Sequence, residues 1–375
     1  MEELRPKVER EFNSPENKKT VLGVSARPFD IMAAFMKIDI FNHFFPPKYA
    51  REVIEAGLAG KDMGKRVRNV PTIADLDARF RVMDEFGEYC QLLSLPAPPM
   101  EVMAGPDKSP EFARIANDGL AELAAKYPDR FIGFVASLPM NNVDASLKEM
   151  DRACNGLGAS GVQMYSNVAG RPLDEPEFVP LFERAAQRDV AIWIHPARGA
   201  DFPDYKTEDK SKYEIWWTFG WPYETSVAMS RIVFSGLFDK FPNLKIITHH
   251  MGAMIPYFEG RVGYGWDVLG SRTSDVDYVS LLHSMKKRPI DYFRMFYADT
   301  ALFGGQAATR CGLDFFGVDH VLFASDVPFE PKPGLYIRET IRCIEGLDIP
   351  AADKEKIYSG NARRLLKLEL KKAVS

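Results

Sequence analysis

Four apolar runs of this chain each end in a histidine or an aspartate, and this repetition limits the fold more than any other feature. The runs are residues 37–43 (KIDIFNH), 190–195 (VAIWIH), 244–250 (LKIITHH) and 320–326 (HVLFASD). Short apolar runs rich in β-branched residues are typical of strands that are buried on both faces of a parallel sheet. Polar residues that follow several such strands predict one shared site at the C-terminal edge of the sheet.

Eight candidate strands alternate with helical segments along most of the chain. The predicted strands are residues 36–40, 89–95, 130–137, 161–165, 190–195, 244–248, 296–299 and 320–324. Alternating strands and helices are typical of parallel βαβ units joined by right-handed crossovers. Polar residues follow many of the strands, and no glycine-rich phosphate loop follows the first one. The pattern therefore favours an α/β fold of the (β/α)8 TIM-barrel class over a doubly wound sheet.

The chain length of 375 residues accommodates one such barrel with insertions. We expect residues 1–35 to be a charged N-terminal extension and residues 36–375 to be the barrel domain. Within that domain, residues 48–70 predict an insertion or short helix, and residues 196–223 predict a long loop. A further excursion over residues 251–293 is expected to be mostly helical.

Composition limits the partners and the compartment. The net charge is −4 and there is no long basic run, which argues against nucleic acid as a partner. No apolar stretch approaches the roughly 20 residues that a membrane-spanning helix needs, so no membrane partner is expected. The N-terminus has no apolar signal core, and the four cysteines are scattered without CxxC spacing. These features predict a cytoplasmic protein with reduced thiols.

Three polar residues at the ends of separate strands predict a metal site. His43, His195 and Asp326 follow the first, fifth and eighth predicted strands, so they should meet at the active face of the barrel. We expect them to bind one divalent metal ion together. Imidazole and carboxylate ligands suit zinc, manganese or iron(II), and we expect zinc or manganese.

The other histidines divide by their position relative to the strands. His249 and His250 are neighbours on one strand, so we expect one to face the barrel mouth and the other the surrounding helices. His283 lies in a charged helical stretch, and His320 precedes a strand, so neither is expected in the site. Asp39 lies inside the first strand and is expected to link the strand to a loop.

Several motifs follow one another in the order found in a known family. They are residues 130–140 (RFIGFVASLPM), 161–164 (GVQM), 195–196 (HP), 217–225 (WTFGWPYET), 235–245 (SGLFDKFPNLK), 250–252 (HMG), 325–329 (SDVPF) and 359–365 (SGNARRL). Together they resemble the amidohydrolase-2 family of the amidohydrolase superfamily. The group that the chain resembles most is that of aminocarboxymuconate-semialdehyde decarboxylase and related aromatic acid decarboxylases.

The resemblance implies roles for individual residues. The family's first strand usually ends in H-x-H with both histidines bound to metal, and here Phe41 stands at the first position and His43 at the second. His195 and Asp326 correspond to later metal ligands, and Asp326 can also move a proton. His250 corresponds to a histidine that orients or deprotonates water at the metal. His250, and not His249, is therefore the histidine expected to face the site, with Phe41 as a wall of the pocket.

Two residues of the long loop are candidates for substrate binding. Trp217 and Arg198 are expected on the active face, where they could line the pocket. The arginine would suit a carboxylate, and the alternative is a solvated loop charge.

The resemblance implies a metal-dependent decarboxylase acting on an aromatic or muconate-like carboxylic acid. Asp326 or His250 would deliver the proton that replaces carbon dioxide. The alternatives are a hydrolase of the same superfamily, a hydratase of an unsaturated diacid, and an inactive barrel with a binding role, the last because of Phe41. The expected partner is a small carboxylic acid, and relatives suggest a homo-oligomer.

Overall fold

The computed structural model describes residues 35–272 and 275–368. The predicted N-terminal extension, residues 1–35, lies outside the described residues except for its last residue. The chemistry-bearing residues predicted above all fall inside them.

Eight parallel strands form a barrel, in the order of the sequence. They are β1 (Lys37–His43), β2 (Tyr89–Ser94), β3 (Phe131–Ser137), β4 (Gly161–Tyr165), β5 (Ala191–His195), β6 (Lys245–Thr248), β7 (Tyr297–Asp299) and β8 (Val321–Leu322). Backbone hydrogen bonds from Ile40 N to Phe323 O (3.0 Å) and from His43 N to Val327 O (2.8 Å) join β1 to the segment that follows β8. The sheet therefore closes on itself, and the predicted (β/α)8 barrel is confirmed.

Helices fill the connections between the strands. The α-helices of the described part are Pro47–Glu55, Asp62–Val67, Leu76–Met83, Met100–Met103, Ser109–Lys126, Val143–Asp151, Val179–Arg188, Ile215–Thr218, Gly220–Phe234, Leu237–Lys240, Tyr278–Ser284, Pro289–Phe293, Gln306–Phe316, Leu335–Glu345, Ala351–Glu355 and Asn361–Leu366. A two-stranded hairpin, Asn167–Val168 with Arg171–Pro172, follows β4. None of the helices that the structure describes is long and apolar enough to cross a membrane.

The observed end of the first strand differs from the end predicted from the sequence, because its pairing partners are distant in the chain. The first strand was expected to stop at Ile40, but β1 continues to His43. Residues 42 and 43 pair with β2, and the carbonyl of Phe41 accepts a hydrogen bond from Asp326 N at 3.1 Å. The chain after β8 is held by β1 in the same way. The ends of the first and last strands therefore meet, which brings His43 next to Asp326.

The barrel interior is packed with apolar side chains and is not an open pore. Ile38, Ile40, Leu92, Trp193 and Ile247 belong to one buried cluster. The helix Asn361–Leu366 adds Ala362 and Leu365 to this cluster. A packed interior leaves the rim at the C-terminal ends of the strands as the place where polar side chains can meet a ligand.

Candidate metal centre

Three histidines from three strands meet at the C-terminal rim of the barrel. His43 ends β1, His195 ends β5, and His249 comes directly after β6. One ring nitrogen of each lies within 4.8 Å of those of the other two, and all three side chains are buried. His249, His250 and Asp326 form a second group within the same limit. The two groups share His249, so five side chains make one continuous cluster.

Each of the three histidines donates a hydrogen bond through the nitrogen that points away from the cluster. His43 Nδ1 donates to Leu95 O (3.0 Å), and His195 Nδ1 donates to Pro196 O (2.7 Å). His249 Nδ1 donates to Asp299 Oδ2 at 2.5 Å. A backbone carbonyl can only accept, so the proton of a neutral His43 or His195 sits on Nδ1 and leaves Nε2 with a free lone pair. This arrangement is typical of histidines that bind metal.

The spacing of the atoms suits a shared ion. Asp326 Oδ1 lies 2.9 Å from His43 Nε2 and 3.4 Å from His249 Nε2. Two ligand atoms bonded to one ion at about 2.1 Å are about 3.0–3.4 Å apart at octahedral to tetrahedral angles. His249 Nε2 is also buried without a hydrogen-bonding partner. The residues present therefore fit one divalent metal.

The electrostatics of the cluster keep two of the predicted ligands, Asp326 and His195, in the protonation states that bind metal. Burial alone would raise the pKa of Asp326, but His249, His250 and His43 outweigh it and hold that pKa well below its usual range. Burial, with the positive charge of His249 and His43, lowers the pKa of His195 well below its usual value. Burial also lowers the pKa of His249, but Asp299 and Asp326 outweigh it and raise it to about 10. An ionised Asp326 and a neutral His195 are both ready to act as ligands.

The expectation that only one of His249 and His250 would face the site is wrong. Strand alternation applies only while the strand continues, and β6 ends at Thr248. His250 then adopts a left-handed φ of 55°, and Gly252 follows with a φ of 70°. A side chain at Gly252 would also clash with Phe316, because a Cβ there would lie 2.5 Å from its ring. The turn brings both histidine rings to the cluster, with ring centroids 3.8 Å apart.

Two buried aspartates, Asp299 and Asp39, accept hydrogen bonds from residues of the cluster or next to it. Asp299, at the end of β7, accepts from His249 Nδ1 and, through Oδ1, from His250 N at 2.9 Å. Asp39 accepts from Tyr89 Oη at 2.6 Å and from both the backbone N–H and the hydroxyl of Ser325. Asp39 thus ties β1 to the residue that precedes Asp326, in keeping with the structural role expected for it.

Phe41 lies among the histidines. Its ring centroid is 4.9 Å from that of His43, 5.7 Å from that of His195 and 4.4 Å from that of His249, and the side chain is 1% exposed. Phe41 therefore packs an apolar ring against the three imidazoles. Its role as a wall of the substrate pocket stays a prediction.

Arg66 is a functional candidate that sequence reasoning missed. Its guanidinium carbon lies 4.5 Å from the ring centroid of Trp217 and 5.4 Å from those of Trp221 and Phe329. Trp221 in turn contacts His195, and Phe329 contacts His43, with ring centroids 5.6 Å and 5.5 Å apart. Arg66 Nη1 is buried without a hydrogen-bonding partner.

Two opposing effects act on the charge of the Arg66 guanidinium. Burial lowers the pKa of Arg66, and the negative charges of Asp326 and Glu214 oppose that shift. Residue 66 falls in the charged insertion after β1, where the sequence carries no regular period. Its place beside the site depends on tryptophans about 150 residues further along the chain.

The two predicted substrate-binding residues lie on the same face in different settings. Trp217 donates from Nε1 to Glu214 Oε2 at 2.7 Å and contacts Arg66. Arg198 donates to Glu224 Oε1 at 2.9 Å, so its charge is already paired. Arg198 also lines a cavity of about 620 Å³ that Trp216 and Trp221 border. The binding roles of both residues remain predictions.

The remaining histidines lie elsewhere. His283 is exposed on the helix Tyr278–Ser284, and His320 donates from Nδ1 to Phe296 O at 2.9 Å. His320 precedes β8 whereas Asp326 follows it, so the two residues are at opposite ends of the strand.

Comparison with known proteins identifies the family of the chain. A family model described as "Amidohydrolase" matches residues 38–368. Gamma-resorcylate decarboxylase from Rhizobium sp. (strain MTP-10005) is 33% identical over 345 residues, which cover 89% of this chain and 98% of the relative. A 2-amino-3-carboxymuconate-6-semialdehyde decarboxylase from Dictyostelium discoideum is 28% identical over 352 residues, covering 89% of this chain and 92% of that one.

A solved structure extends the comparison. The dihydroxybenzoic acid decarboxylase of Polaromonas sp. JS666, with bound manganese and the inhibitor 2-nitroresorcinol, matches with a TM-score of 0.73 and 30% identity. The match covers 90% of this chain and 98% of that one. Two of these relatives are aromatic acid decarboxylases and one is an aminocarboxymuconate-semialdehyde decarboxylase, so the resemblance found from the motifs is confirmed. This chain belongs to the amidohydrolase family.

Proposed function

We propose that this protein is a metal-dependent decarboxylase that removes carbon dioxide from an aromatic carboxylic acid. The observation that carries the proposal is the cluster of His43, His195 and His249 at the barrel rim. The ionised Asp326 lies 2.9 Å from His43 Nε2 and 3.4 Å from His249 Nε2. The similarity to decarboxylases over nearly the whole barrel supports the same reaction class.

The resident metal is a single divalent ion, manganese or zinc. His43, His195 and Asp326 hold it. His43 and His195 belong to one close group, His43 Nε2 lies 2.9 Å from Asp326 Oδ1, and outer hydrogen bonds fix the orientation of the two rings. When bound, such an ion supplies positive charge that holds the carboxylate and a neighbouring oxygen of the substrate.

The reaction requires the chain to supply a proton. When the bond between the ring carbon and the carboxyl carbon breaks, carbon dioxide leaves and the electron pair stays on the ring carbon. A proton must then take the place of the lost group. His250 delivers it, or Asp326 does so after it has accepted a proton from His250 or from the substrate. His250 Nε2 lies 3.8 Å from Asp326 Oδ2, so the two groups are neighbours.

Arg66 and its aromatic neighbours hold the substrate. The arginine has no acceptor in the protein for Nη1, and a planar guanidinium pairs well with a carboxylate or phenolate oxygen. Trp217, Trp221 and Phe329 surround it with flat apolar surfaces that suit an aromatic ring. These side chains also exclude water, which strengthens the electrostatic interactions of a buried anion.

The reaction can be tested directly on the purified protein. Loaded with manganese or with zinc, it is incubated with a panel of hydroxylated benzoates and unsaturated diacids, and released carbon dioxide is measured. We expect release from at least one aromatic acid, and loss of that release in Asp326→Asn. Hydrolysis of amide or ester analogues without any carbon dioxide would favour the hydrolase alternative and contradict the proposal.

The protein assembles as a homo-oligomer through a surface of exposed aromatic residues. Tyr223 on the helix Gly220–Phe234 is exposed, as are Tyr257 and Tyr264 of the following excursion. Ser226 Oγ, on the same helix, accepts from Met254 N at 3.0 Å, so helix and excursion adjoin. A contiguous patch of exposed apolar side chains marks a protein interface, and we expect these three tyrosines to contribute to one. Light scattering of Tyr223→Glu should show a smaller particle than the unmodified protein, and an unmodified protein that is already a monomer would contradict this.

Free thiols are the basis for placing the protein in the cytoplasm. All four cysteines are free, and Cys90 and Cys343 are buried. Reduced cysteines are typical of a reducing compartment. Fractionation of expressing cells, followed by detection of the protein, tests this placement, and recovery in an exported fraction would contradict it.

A further inference from the structure

We propose that His249 is a fourth protein ligand of the metal centre, and that Asp299 is the residue that positions it. The inference rests on the proposed function only in requiring a resident divalent ion. It assigns a metal-binding role to a histidine that the order of motifs does not single out.

The position of His249 Nε2 is the first argument. This atom is buried and has no hydrogen-bonding partner, which is unusual for a polar atom in a protein interior. It lies 3.4 Å from Asp326 Oδ1 and belongs to one close group with nitrogens of His43 and His195. His249 belongs to both close groups of the cluster, so its ring is placed where an ion would sit.

The support behind the ring is the second argument. Asp299 Oδ2 accepts a hydrogen bond from His249 Nδ1, and Asp299 Oδ1 accepts hydrogen bonds from His250 N (2.9 Å) and Ala301 N (3.1 Å). The carboxylate is therefore fixed by the backbone on one side and fixes the imidazole on the other. A carboxylate that holds the outer nitrogen of a histidine orients the inner nitrogen toward a metal and strengthens it as a ligand.

The contacts of Phe41 are the third argument. Position 41 offers no ligand atom, and its ring packs 4.4 Å from the ring of His249, centroid to centroid. His249 approaches the same centre from β6, so the donor set becomes His43, His195, His249 and Asp326. Three imidazoles and one carboxylate are a normal set for zinc or manganese, and substrate oxygens can occupy further positions in a six-coordinate ion.

A buried ion pair of purely structural purpose is the competing interpretation. Such a pair would need only His249 Nδ1 and Asp299. Removing the His249 ring would then leave the metal affinity unchanged. The two interpretations therefore differ in metal affinity, which can be measured without any substrate.

The experiment measures manganese affinity by paramagnetic resonance titration of metal-free protein at one fixed pH. We expect His249→Ala to weaken binding by about 100-fold or more, and Asp299→Asn by about 10-fold, in line with the effect of losing a ligand and of losing its support. The matched control is His250→Ala, which removes an equally buried ring from the adjacent position and should stay within threefold of the unmodified affinity.

Folding is checked on the same samples. The circular dichroism of each metal-free variant must match that of metal-free unmodified protein, and His249→Asn replaces His249→Ala if the smaller side chain prevents folding. Affinity within threefold of the unmodified protein in a folded His249 variant would overturn the proposal. Since no turnover is measured, absence of decarboxylase activity would leave this result standing, and the two proposals fail separately.

Discussion

His43 Nε2 and Asp326 Oδ1 lie 2.9 Å apart although 283 positions separate the two residues in the chain. The contact joins the end of β1 to the segment after β8, where the barrel closes. An ion bound by both residues would therefore fasten the closure of the barrel. Binding to the folded state alone stabilises a protein by about 2.7 kcal/mol when the free ligand is at 100 times its dissociation constant.

Metal should consequently raise the melting temperature. We expect chelation to lower the Tm and manganese to restore it in a concentration-dependent way, measured by scanning calorimetry. His195→Ala should lose both the bound metal, by elemental analysis, and this dependence of Tm on manganese. A His195 variant with full metal content would remove this histidine from the ligand set.

Phe41→His should tighten metal binding. The ring of Phe41 contacts three histidines of the cluster, so an imidazole at this position could reach the same ion. An added protein ligand favours a closed site, and catalysis needs an open coordination position, so turnover should fall as affinity rises. Dissociation constants for the two forms decide the matter. Unchanged affinity in a folded variant would mean that this side chain does not point at the metal.

His249 and His250 should differ in how their loss affects the enzyme. We expect His250→Ala to lower kcat by about 100-fold or more while metal content stays near one per chain, because a proton-transferring group contributes about that much. His249→Ala should lose turnover together with metal, and excess manganese should restore part of it. Retained turnover in His250→Ala would contradict the proton-transfer role of this residue.

Much of the fold was predictable because buried parallel strands are written as continuous apolar runs. The end of β1 could not be predicted in this way. The backbone groups that pair with residues 42 and 43 and extend β1 to His43 lie in β2 and in the segment after β8. His249 was missed because strand alternation fails after Thr248, where His250 turns into the left-handed region. Gly252 in the same turn lies so close to Phe316 that it leaves no room for a side chain, and no local sequence pattern reveals that contact.

Arg66→Met should weaken substrate binding. The guanidinium is buried beside the cluster and has an Nη1 without a partner, so it gains an acceptor when an anionic substrate enters. Hydrogen bonds to charged groups contribute about 1.5–3 kcal/mol, which predicts a rise in KM of about 10- to 100-fold. The matched control is Arg198→Met, because Arg198 is already paired with Glu224. Equal effects of the two substitutions on KM would contradict a special role for Arg66.

Glu101→Gln should stabilise the protein above neutral pH and leave it nearly unchanged at pH 5. Burial raises the pKa of Glu101 from 4.5 to about 7, and its Oε1 has no hydrogen-bonding partner. Between pH 4.5 and about pH 7, Glu101 keeps its proton in the folded chain and loses it in the unfolded chain. The free energy of unfolding therefore falls as the pH rises through this range. Because one pKa unit corresponds to about 1.4 kcal/mol and the residue is half-buried, the loss above pH 7 should be about 2 kcal/mol. Gln cannot ionise, so the variant should not lose this stability. Urea unfolding at pH 5 and pH 8 measures the difference.

Glu122→Gln, at an exposed site on the helix Ser109–Lys126, is the control. The same change in stability at both pH values would mean that ionisation of Glu101 is not the cause.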